Sequence, residues 1–204
     1  MKYPNYYSEL MKMVESDQTE VKSFSRDYSS MSKDEISRRK ADLLLHSKAR
    51  AKRALEIINE IGLPTVEAIG YEGSQALSLI ALHSTYSTMK IVLDIYMKAF
   101  LAHPNSIYPE AIPPLIDRVR IIEGKKQLYG TQWLLGEDGL PFLYPIENFK
   151  EVSNRRAKFG LGMLKRPTNL AISTQSQKQI PARKSDQRTS TEQEYVDYVR
   201  DFID

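Results

Sequence analysis

The segment from Glu72 to His83 is apolar on nearly every side of a helix, and this feature constrains the fold most. Its apolar residues are Ala76, Leu77, Leu79, Ile80, Ala81 and Leu82. A helix of this kind is typical of a protein interior, so other helices should surround it. At about 100° per residue, Glu72, Gln75 and His83 fall on one side of the helix. Buried polar groups need partners, so we expect these three residues to belong to a polar site.

The N-terminal part of the chain predicts two helices of different character. Residues 3–14 place apolar side chains at helical spacing, whereas residues 15–31 are polar and Ser-rich, which predicts a loop or a frayed helix. Ser32 and Glu35 have the spacing of a capping box, so a long basic amphipathic helix should begin there. Gly62 predicts the end of that helix.

The second half of the chain predicts three more helices and a small hairpin. The helices are expected from about Ser87 to Ala102, from near Pro109, and from Phe149 to Phe159. Residues 127–135 and 140–144 are rich in aromatic and apolar side chains and flank a Gly-Glu-Asp-Gly turn, which predicts two short strands. The chain is therefore predicted to be mainly α, a compact helical domain with a small β-hairpin near its C-terminal end.

Composition predicts four parts along the chain. We expect an N-terminal helical arm over residues 1–31 and a helical core domain over residues 32–164. Residues 165–190 are basic and polar and hold too little apolar surface to order themselves, which predicts a linker. Residues 191–204 form an acidic amphipathic tail that could dock on the basic helix or on a partner.

The overall balance of residues excludes several classes of protein. The chain has 204 residues, a net charge of +3 and no cysteine. The charge is too small to favour nucleic acid as a partner, and no apolar run reaches the roughly 20 residues of a membrane helix. Disulfides and thiolate metal sites are excluded, and with three histidines no metal or other cofactor is predicted. We expect a cytoplasmic protein, with non-classical export as the alternative.

The candidate site combines the polar side of the apolar helix with polar residues that follow it in the chain. His83 is the predicted acid–base group, because the pKa of an imidazole lies near neutrality, and Glu72 is its predicted support. Arg118 is predicted to hold an anion through a bidentate contact. The predicted substrate-binding residues are Gln75, Asp117, Gln127, Tyr129, Thr131 and Gln132. Each of these has a structural explanation as well, since His83 could serve packing and Tyr129 could anchor the hairpin.

Several short motifs resemble those of a known family. They are Gly73-Ser-Gln-Ala76, Asp117-Arg-Val119, Gln127-Leu-Tyr-Gly-Thr-Gln132, Tyr144-Pro-Ile-Glu147 and Arg155-Arg156. In this order they resemble domain-of-unknown-function family 6624, an uncharacterised and mainly bacterial family. The resemblance covers about residues 55–164 and leaves the N-terminal arm and the tail outside. It implies a shared helical fold with a polar cleft, and it implies no named reaction.

Two functions are the main candidates for these residues, and the sequence leaves open whether the protein is an enzyme. The first is an enzyme or ligand-binding protein whose His/Arg/Gln/Tyr cleft takes a polar or anionic small molecule or peptide, such as a nucleotide-like substrate. The second is a non-catalytic interaction module, an effector or inhibitor. Its protein partner would bind the Tyr-rich N-terminal helix and the acidic aromatic tail. A third and weaker alternative is nucleic-acid binding through the basic helix and the linker.

Overall fold

The computed structural model describes residues 1–135 and 141–164, and this part of the chain is mainly helical. Its α-helices are α1 (Pro4–Asp27), α2 (Lys33–Ile61), α3 (Val66–Leu82), α4 (Tyr86–Ala102), α5 (Ile112–Ile122) and α6 (Val152–Ala157). Short 3-10 turns lie at Tyr28–Ser30, Pro104–Ser106, Pro109–Ala111 and Phe149–Glu151. Strands β1 (Trp133–Leu135) and β2 (Pro141–Leu143) pair antiparallel, with Trp133 opposite Leu143. The predicted fold class, mainly α with a small hairpin, is confirmed.

The chain divides into two units at a different place from the predicted boundaries. The first unit is Met1–Ala111 and holds α1 to α4, whereas the second begins at Ile112 and holds α5, the two strands and α6. The predicted boundary after residue 31 falls inside the first unit, where α1 packs mainly against α3. The predicted linker, 165–190, and the predicted tail, 191–204, lie outside the described residues.

Helix α1 continues as a regular helix to Asp27, through a segment for which the sequence predicted a loop or a frayed helix. Its polar residues are helical because their charges meet the basic side of α2. The ion pairs are Glu9 with Arg53 at 2.6 Å, Glu20 with Arg50 at 2.9 Å and Asp27 with Arg39 at 3.1 Å. A hydropathy pattern cannot show this complementarity, so residues 15–27 had the composition of a loop but the structure of a helix.

The predicted boundaries of α2 are confirmed by its caps. Ser32 Oγ accepts a hydrogen bond from the Glu35 N–H at 3.2 Å, which satisfies a donor that the first turn leaves open. At the other end, Gly62 has a φ of 77° and its N–H donates to the Ile58 carbonyl at 2.8 Å. Glycine adopts this positive φ without strain, so the helix ends where the sequence predicted.

Helix α3 is longer than predicted and is kinked at Gly70. That residue has φ 76° and ψ 169°, a conformation that is almost restricted to glycine. The kink interrupts the helical hydrogen bonds that the Glu67 and Ala68 carbonyls would otherwise accept. The N–H groups of Lys2 and Tyr3 donate to these carbonyls instead, at 2.9 and 2.8 Å respectively. The first residues of the chain are therefore part of the α3 hydrogen-bond pattern.

The apolar part of α3 lies in the interior of the first unit, as predicted. Its residues Ala76, Leu77, Ile80 and Ala81 are at most 3% exposed. Fully buried side chains from the other helices of this unit include Leu10, Ile57, Met89, Val92 and Tyr96. In the second unit, Ile121, Phe142 and Tyr144 form a buried cluster that joins α5 to β2 and the residue after it. No helix in the described part of the chain has the length and apolar character needed to cross a membrane.

We predict that Gly70→Ala lowers the free energy of unfolding by roughly 1–3 kcal/mol, because alanine is strained at this φ and ψ. Its Cβ would also lie 3.0 Å from Met1 Cε. Urea unfolding of the two proteins measures the change. Gly162→Ala is the matched control, since Gly162 has no atom within 4 Å of the added Cβ. Equal stability of native protein and Gly70→Ala would contradict the prediction.

Candidate functional site

His83 is held by a buried aspartate from another helix. It lies at the C-terminal end of α3, where its Nδ1 is 2.6 Å from Oδ2 of Asp17 on α1. The His83 side chain is 25% exposed, whereas that of Asp17 is 3% exposed. The backbone of His83 is fixed as well, because Ser47 Oγ of α2 donates to its carbonyl. Three helices therefore determine the position and the ring orientation of this imidazole.

The Asp17–His83 pair continues into a larger charged cluster. Arg50 Nη2 lies 3.2 Å from the other oxygen of Asp17, and the same guanidinium contacts both oxygens of Glu20 at 2.9 and 3.1 Å. His46 Nδ1 lies 3.3 Å from Glu20 Oε2. Asp17 and Glu20 are one turn apart on α1, so a single arginine of α2 bridges both.

Burial and ionic contacts act in opposite directions on Asp17. Burial raises the pKa of the Asp17 carboxyl, but the hydrogen bond from His83 and the charges of His83 and Arg50 outweigh it. The pKa of Asp17 therefore lies below its ordinary value of 3.8, and the group is a carboxylate at neutral pH. It can accept a hydrogen bond from His83 Nδ1–H. In that tautomer of the neutral ring, Nε2 carries the lone pair.

The orienting residue of His83 is thus Asp17, which the sequence did not single out. Glu72 and Gln75 share a side of α3 with His83, but they lie roughly 16 and 12 Å from it along the helix axis, at 1.5 Å per residue. Both are exposed. A helical projection gives the angle between residues and omits this axial distance. The sequence signal for Asp17 was weak: an acidic pair, Asp17 and Glu20, spaced by one helical turn within a polar segment.

In the second unit, the buried carboxylate of Asp117 organises the loop between α5 and β1. It is fully buried and accepts from the N–H groups of Leu128 at 2.7 Å, Tyr129 at 3.1 Å and Thr131 at 3.0 Å. Thr131 Oγ1 donates to the same carboxylate at 2.8 Å. Burial raises the pKa of Asp117, and these hydrogen bonds counter the rise. The loop is therefore folded around one carboxylate.

Two glutamines close the same loop against β2 and α5. Gln127 Nε2 donates to the carbonyls of Gln132 at 3.1 Å and Tyr144 at 2.5 Å, and its Oε1 accepts from the Gln132 N–H at 2.9 Å. Gln132 Nε2 donates to the Pro114 carbonyl at 3.4 Å and to Thr131 Oγ1 at 3.1 Å. These amides are the sequence-predicted substrate contacts, and the structure shows them in bonds that hold the loop.

Arginines of α6 bind the carbonyls of this loop. Arg155 Nε donates to the Leu128 carbonyl at 2.8 Å, and Arg156 Nη1 donates to the Tyr129 carbonyl at 2.6 Å. The residue after Tyr129, Gly130, has a φ of 68°, and an added Cβ there would lie 2.8 Å from Ile146 Cδ1. The Asp-Arg, Tyr-Gly-Thr-Gln, Pro-Ile-Glu and Arg-Arg motifs thus meet in one loop architecture.

Tyr129 and Arg118 are the remaining predicted site residues of the second unit. The Tyr129 ring packs edge to face on Phe159, with centroids 5.5 Å apart, and burial raises the pKa of its hydroxyl. Arg118 is half-buried on α5. His83, Glu72 and Gln75 belong to the first unit. The predicted cleft would draw on both units, and it stays a prediction.

The described residues contain no group of three or more histidine, aspartate or glutamate side chains arranged to hold a metal ion. The Asp17, Glu20, His46 and His83 cluster is instead organised by Arg50, whose guanidinium occupies the space between the two carboxylates. The chemistry available there is proton transfer by an imidazole.

A family of unknown function, DUF6624, matches residues 4–176. Because this match covers most of the 204 residues, the chain belongs to that family. The family resemblance predicted from the sequence is confirmed, but its extent was too short: the match includes α1 and therefore Asp17. Comparison with curated proteins gives no match, and comparison with solved structures also gives none.

We predict that Asp117→Asn lowers the free energy of unfolding by about 1–3 kcal/mol, because an amide NH₂ would face buried N–H donors. Hydrogen exchange should become faster at the amides of Leu128, Tyr129 and Thr131. The control is Asp94→Asn, an exposed position on α4 that should change neither quantity. Unchanged exchange in the loop would show that the carboxylate does not hold it.

We predict that Asp17 makes the first unit sensitive to acid. Its pKa is lowered by folding, so the carboxylate contributes stability that is fully present above pH 3.8 and is lost as the pH falls through the lower pKa of the folded state. Over a range from about pH 5 to about pH 2, the difference in unfolding free energy between native protein and Asp17→Asn should therefore be largest at the upper end and should shrink below pH 3.8. Urea unfolding across this range measures it. A difference that stays constant over the range would contradict the prediction.

Proposed function

We propose that the protein is an enzyme in which His83 acts as a general acid–base group and Asp17 positions it. The observation that carries the proposal is the 2.6 Å contact between His83 Nδ1 and the buried carboxylate of Asp17. A carboxylate that fixes the tautomer and orientation of a histidine is the arrangement that acid–base and nucleophilic mechanisms use.

The geometry supports different roles for His83, which would transfer the proton, and Asp17, which would position His83. With Nδ1–H donated to Asp17, the lone pair of Nε2 can take a proton from a hydroxyl group or from water. No group in the described part of the chain forms a hydrogen bond with Nε2. The carboxylate then stabilises the imidazolium that forms, and the partly exposed ring can return the proton to a leaving group.

The charges around the pair favour a neutral polar substrate. Arg50 is already bonded to Asp17 and Glu20, so its charge is balanced inside the cluster and does not attract an anion. A peptide-like amide or another neutral polar molecule fits this environment better than a nucleotide. Arg118, the predicted anion clamp, lies in the second unit and is not needed for the proton transfer. A cytoplasmic location remains part of the proposal.

The alternative, a non-catalytic interaction module, relied on an exposed tyrosine surface on the N-terminal helix. Tyr6 and Tyr7 are half-buried in the first unit. The Tyr6 hydroxyl donates to Glu60 of α2, and the Tyr7 ring packs near Gly70 and Gly73 of α3. Because these contacts engage Tyr6 and Tyr7 within the first unit, the two side chains are less available to a partner protein. We therefore favour the enzyme. The acidic tail lies outside the described residues.

The test begins with thermal melts of the native chain against dipeptides, sugars and nucleotides. We expect at least one neutral polar compound to raise the midpoint, because a ligand that binds the folded state stabilises it. With that compound, His83→Ala should lower turnover by about 10²- to 10⁴-fold.

His103→Ala is the matched control, since His103 is an exposed histidine after α4 and should leave turnover unchanged. Asp17→Asn should lower kcat more than it raises KM, because it alters the tautomer of His83 and not the binding surface. If no compound shifts the native midpoint and His83→Ala melts at a much lower temperature, His83 is a structural residue and the proposal is wrong.

A further inference from the structure

The Gly73-Ser-Gln motif holds one tyrosine of the first unit in place. Ser74 Oγ accepts a hydrogen bond from the Tyr108 N–H at 3.3 Å, and Gln75 Nε2 donates to the Tyr108 hydroxyl at 3.4 Å. Ser74 is itself fixed by Tyr96, whose buried hydroxyl donates to the Ser74 carbonyl at 2.5 Å. Both polar side chains of this motif are therefore used to position Tyr108, and the His83 site does not use them.

Tyr108 forms an aromatic corner with Tyr71 of α3. Their ring centroids are 4.7 Å apart and their planes meet at 74°. Glu110 completes the corner, because its Oε2 accepts a hydrogen bond from the Tyr71 hydroxyl at 3.2 Å. Tyr71 is 43% exposed, so the residue lies at the surface of the first unit. The corner, defined as Tyr71, Gln75, Tyr108 and Glu110, is partly open and held by side-chain hydrogen bonds.

The chemistry of the corner selects for positive charge. The Tyr71 hydroxyl donates to Glu110, and the Tyr108 hydroxyl accepts from Gln75. The tyrosines can therefore offer a ligand the remaining hydroxyl hydrogen of Tyr108 and the ring faces that their edge-to-face contact leaves uncovered. The face of an aromatic ring carries negative potential, and an adjacent carboxylate strengthens it. Burial raises the pKa of Tyr71 and of Tyr108, and the charge of Glu110 raises each further, so both rings remain neutral phenols at neutral pH.

We propose that this corner binds an organic cation with an alkylated ammonium group. Such a group is weakly hydrated, so it loses little hydration when it contacts ring faces, and its charge is complementary to Glu110. A sodium or potassium ion keeps its water more strongly and is not expected to bind. The site is independent of the proposed enzyme mechanism, because Gln75 lies roughly 12 Å from His83 along α3.

The experiment titrates choline into the full chain and follows the ring resonances of Tyr71 and Tyr108 by NMR. The matched control ligand is 3,3-dimethylbutan-1-ol, which has the shape of choline without its charge. We expect saturable shifts with choline, with a dissociation constant on the order of millimolar, and binding at least about threefold weaker for the alcohol. Equal responses to the two ligands, or none to either, would overturn the proposal.

Variants of Tyr71 and Glu110 test whether the effect belongs to the corner. Tyr71→Leu should abolish saturable binding, whereas Tyr71→Phe keeps a ring face and should retain it. Glu110→Gln should weaken binding by at least about threefold. Glu67→Gln is the control and should not weaken binding, because Glu67 is an exposed acid in the first turn of α3 and is not part of the corner. Binding by Tyr71→Leu as tight as that of the native chain would show that the corner only packs. Loss of choline binding leaves the turnover test of His83 unaffected, so the two proposals fail separately.

Discussion

A buried carboxylate must be paired, and each unit of this protein is arranged around one. Asp17 in the first unit and Asp117 in the second are both at most 2% exposed. The desolvation of an unpaired carboxylate would cost several kcal/mol, which is comparable with the whole stability of a domain. The helices and loops that supply their partners are therefore required to take the positions they have.

The two carboxylates differ in the nature of their partners. Asp117 accepts from three backbone N–H groups and a threonine hydroxyl, none of which titrates near neutral pH. Its network is a fixed structural element. Asp17 is bonded to an imidazole that is partly exposed, and imidazole is the side chain that most often serves as a general acid or base in enzymes. The same residue type therefore serves loop architecture in one unit, and in the other it orients a group capable of chemistry.

Sequence patterns predicted the parts of the fold that depend on local order. The capping role of Ser32, the end of α2 at Gly62 and the burial of Ala76, Leu77, Ile80 and Ala81 all follow from neighbours in the chain. The Gly70 kink was missed, because the residues that satisfy its open carbonyls lie at the start of the chain. The pairing of His83 with Asp17 was missed for the same reason, since contacts between distant segments leave no periodic signal.

The site residues of the second unit show how a motif can be recognised and its role remain hidden. Gln127, Thr131 and Gln132 have polar side chains suited to binding a substrate, and the sequence predicted that role. In the structure, Gln127 bonds the N–H and carbonyl of Gln132, and Thr131 Oγ1 donates to the Asp117 carboxylate. Buried backbone groups need hydrogen-bond partners, and a loop with little regular structure must find them in side chains. A sequence alone does not distinguish a side-chain amide that hydrogen-bonds a ligand from one that hydrogen-bonds the backbone of its own chain.

Helix α1 supplies the acceptor for His83, and the two residues before it, Lys2 and Tyr3, bind the open carbonyls at the kink in α3. The imidazole therefore has its carboxylate only while α1 is docked. Local opening of α1 would separate the pair while α2, α3 and α4 keep their own helical hydrogen bonds. The lifetime of the assembled pair is then set by the detachment rate of a single helix, and it can be much shorter than the lifetime of the folded protein.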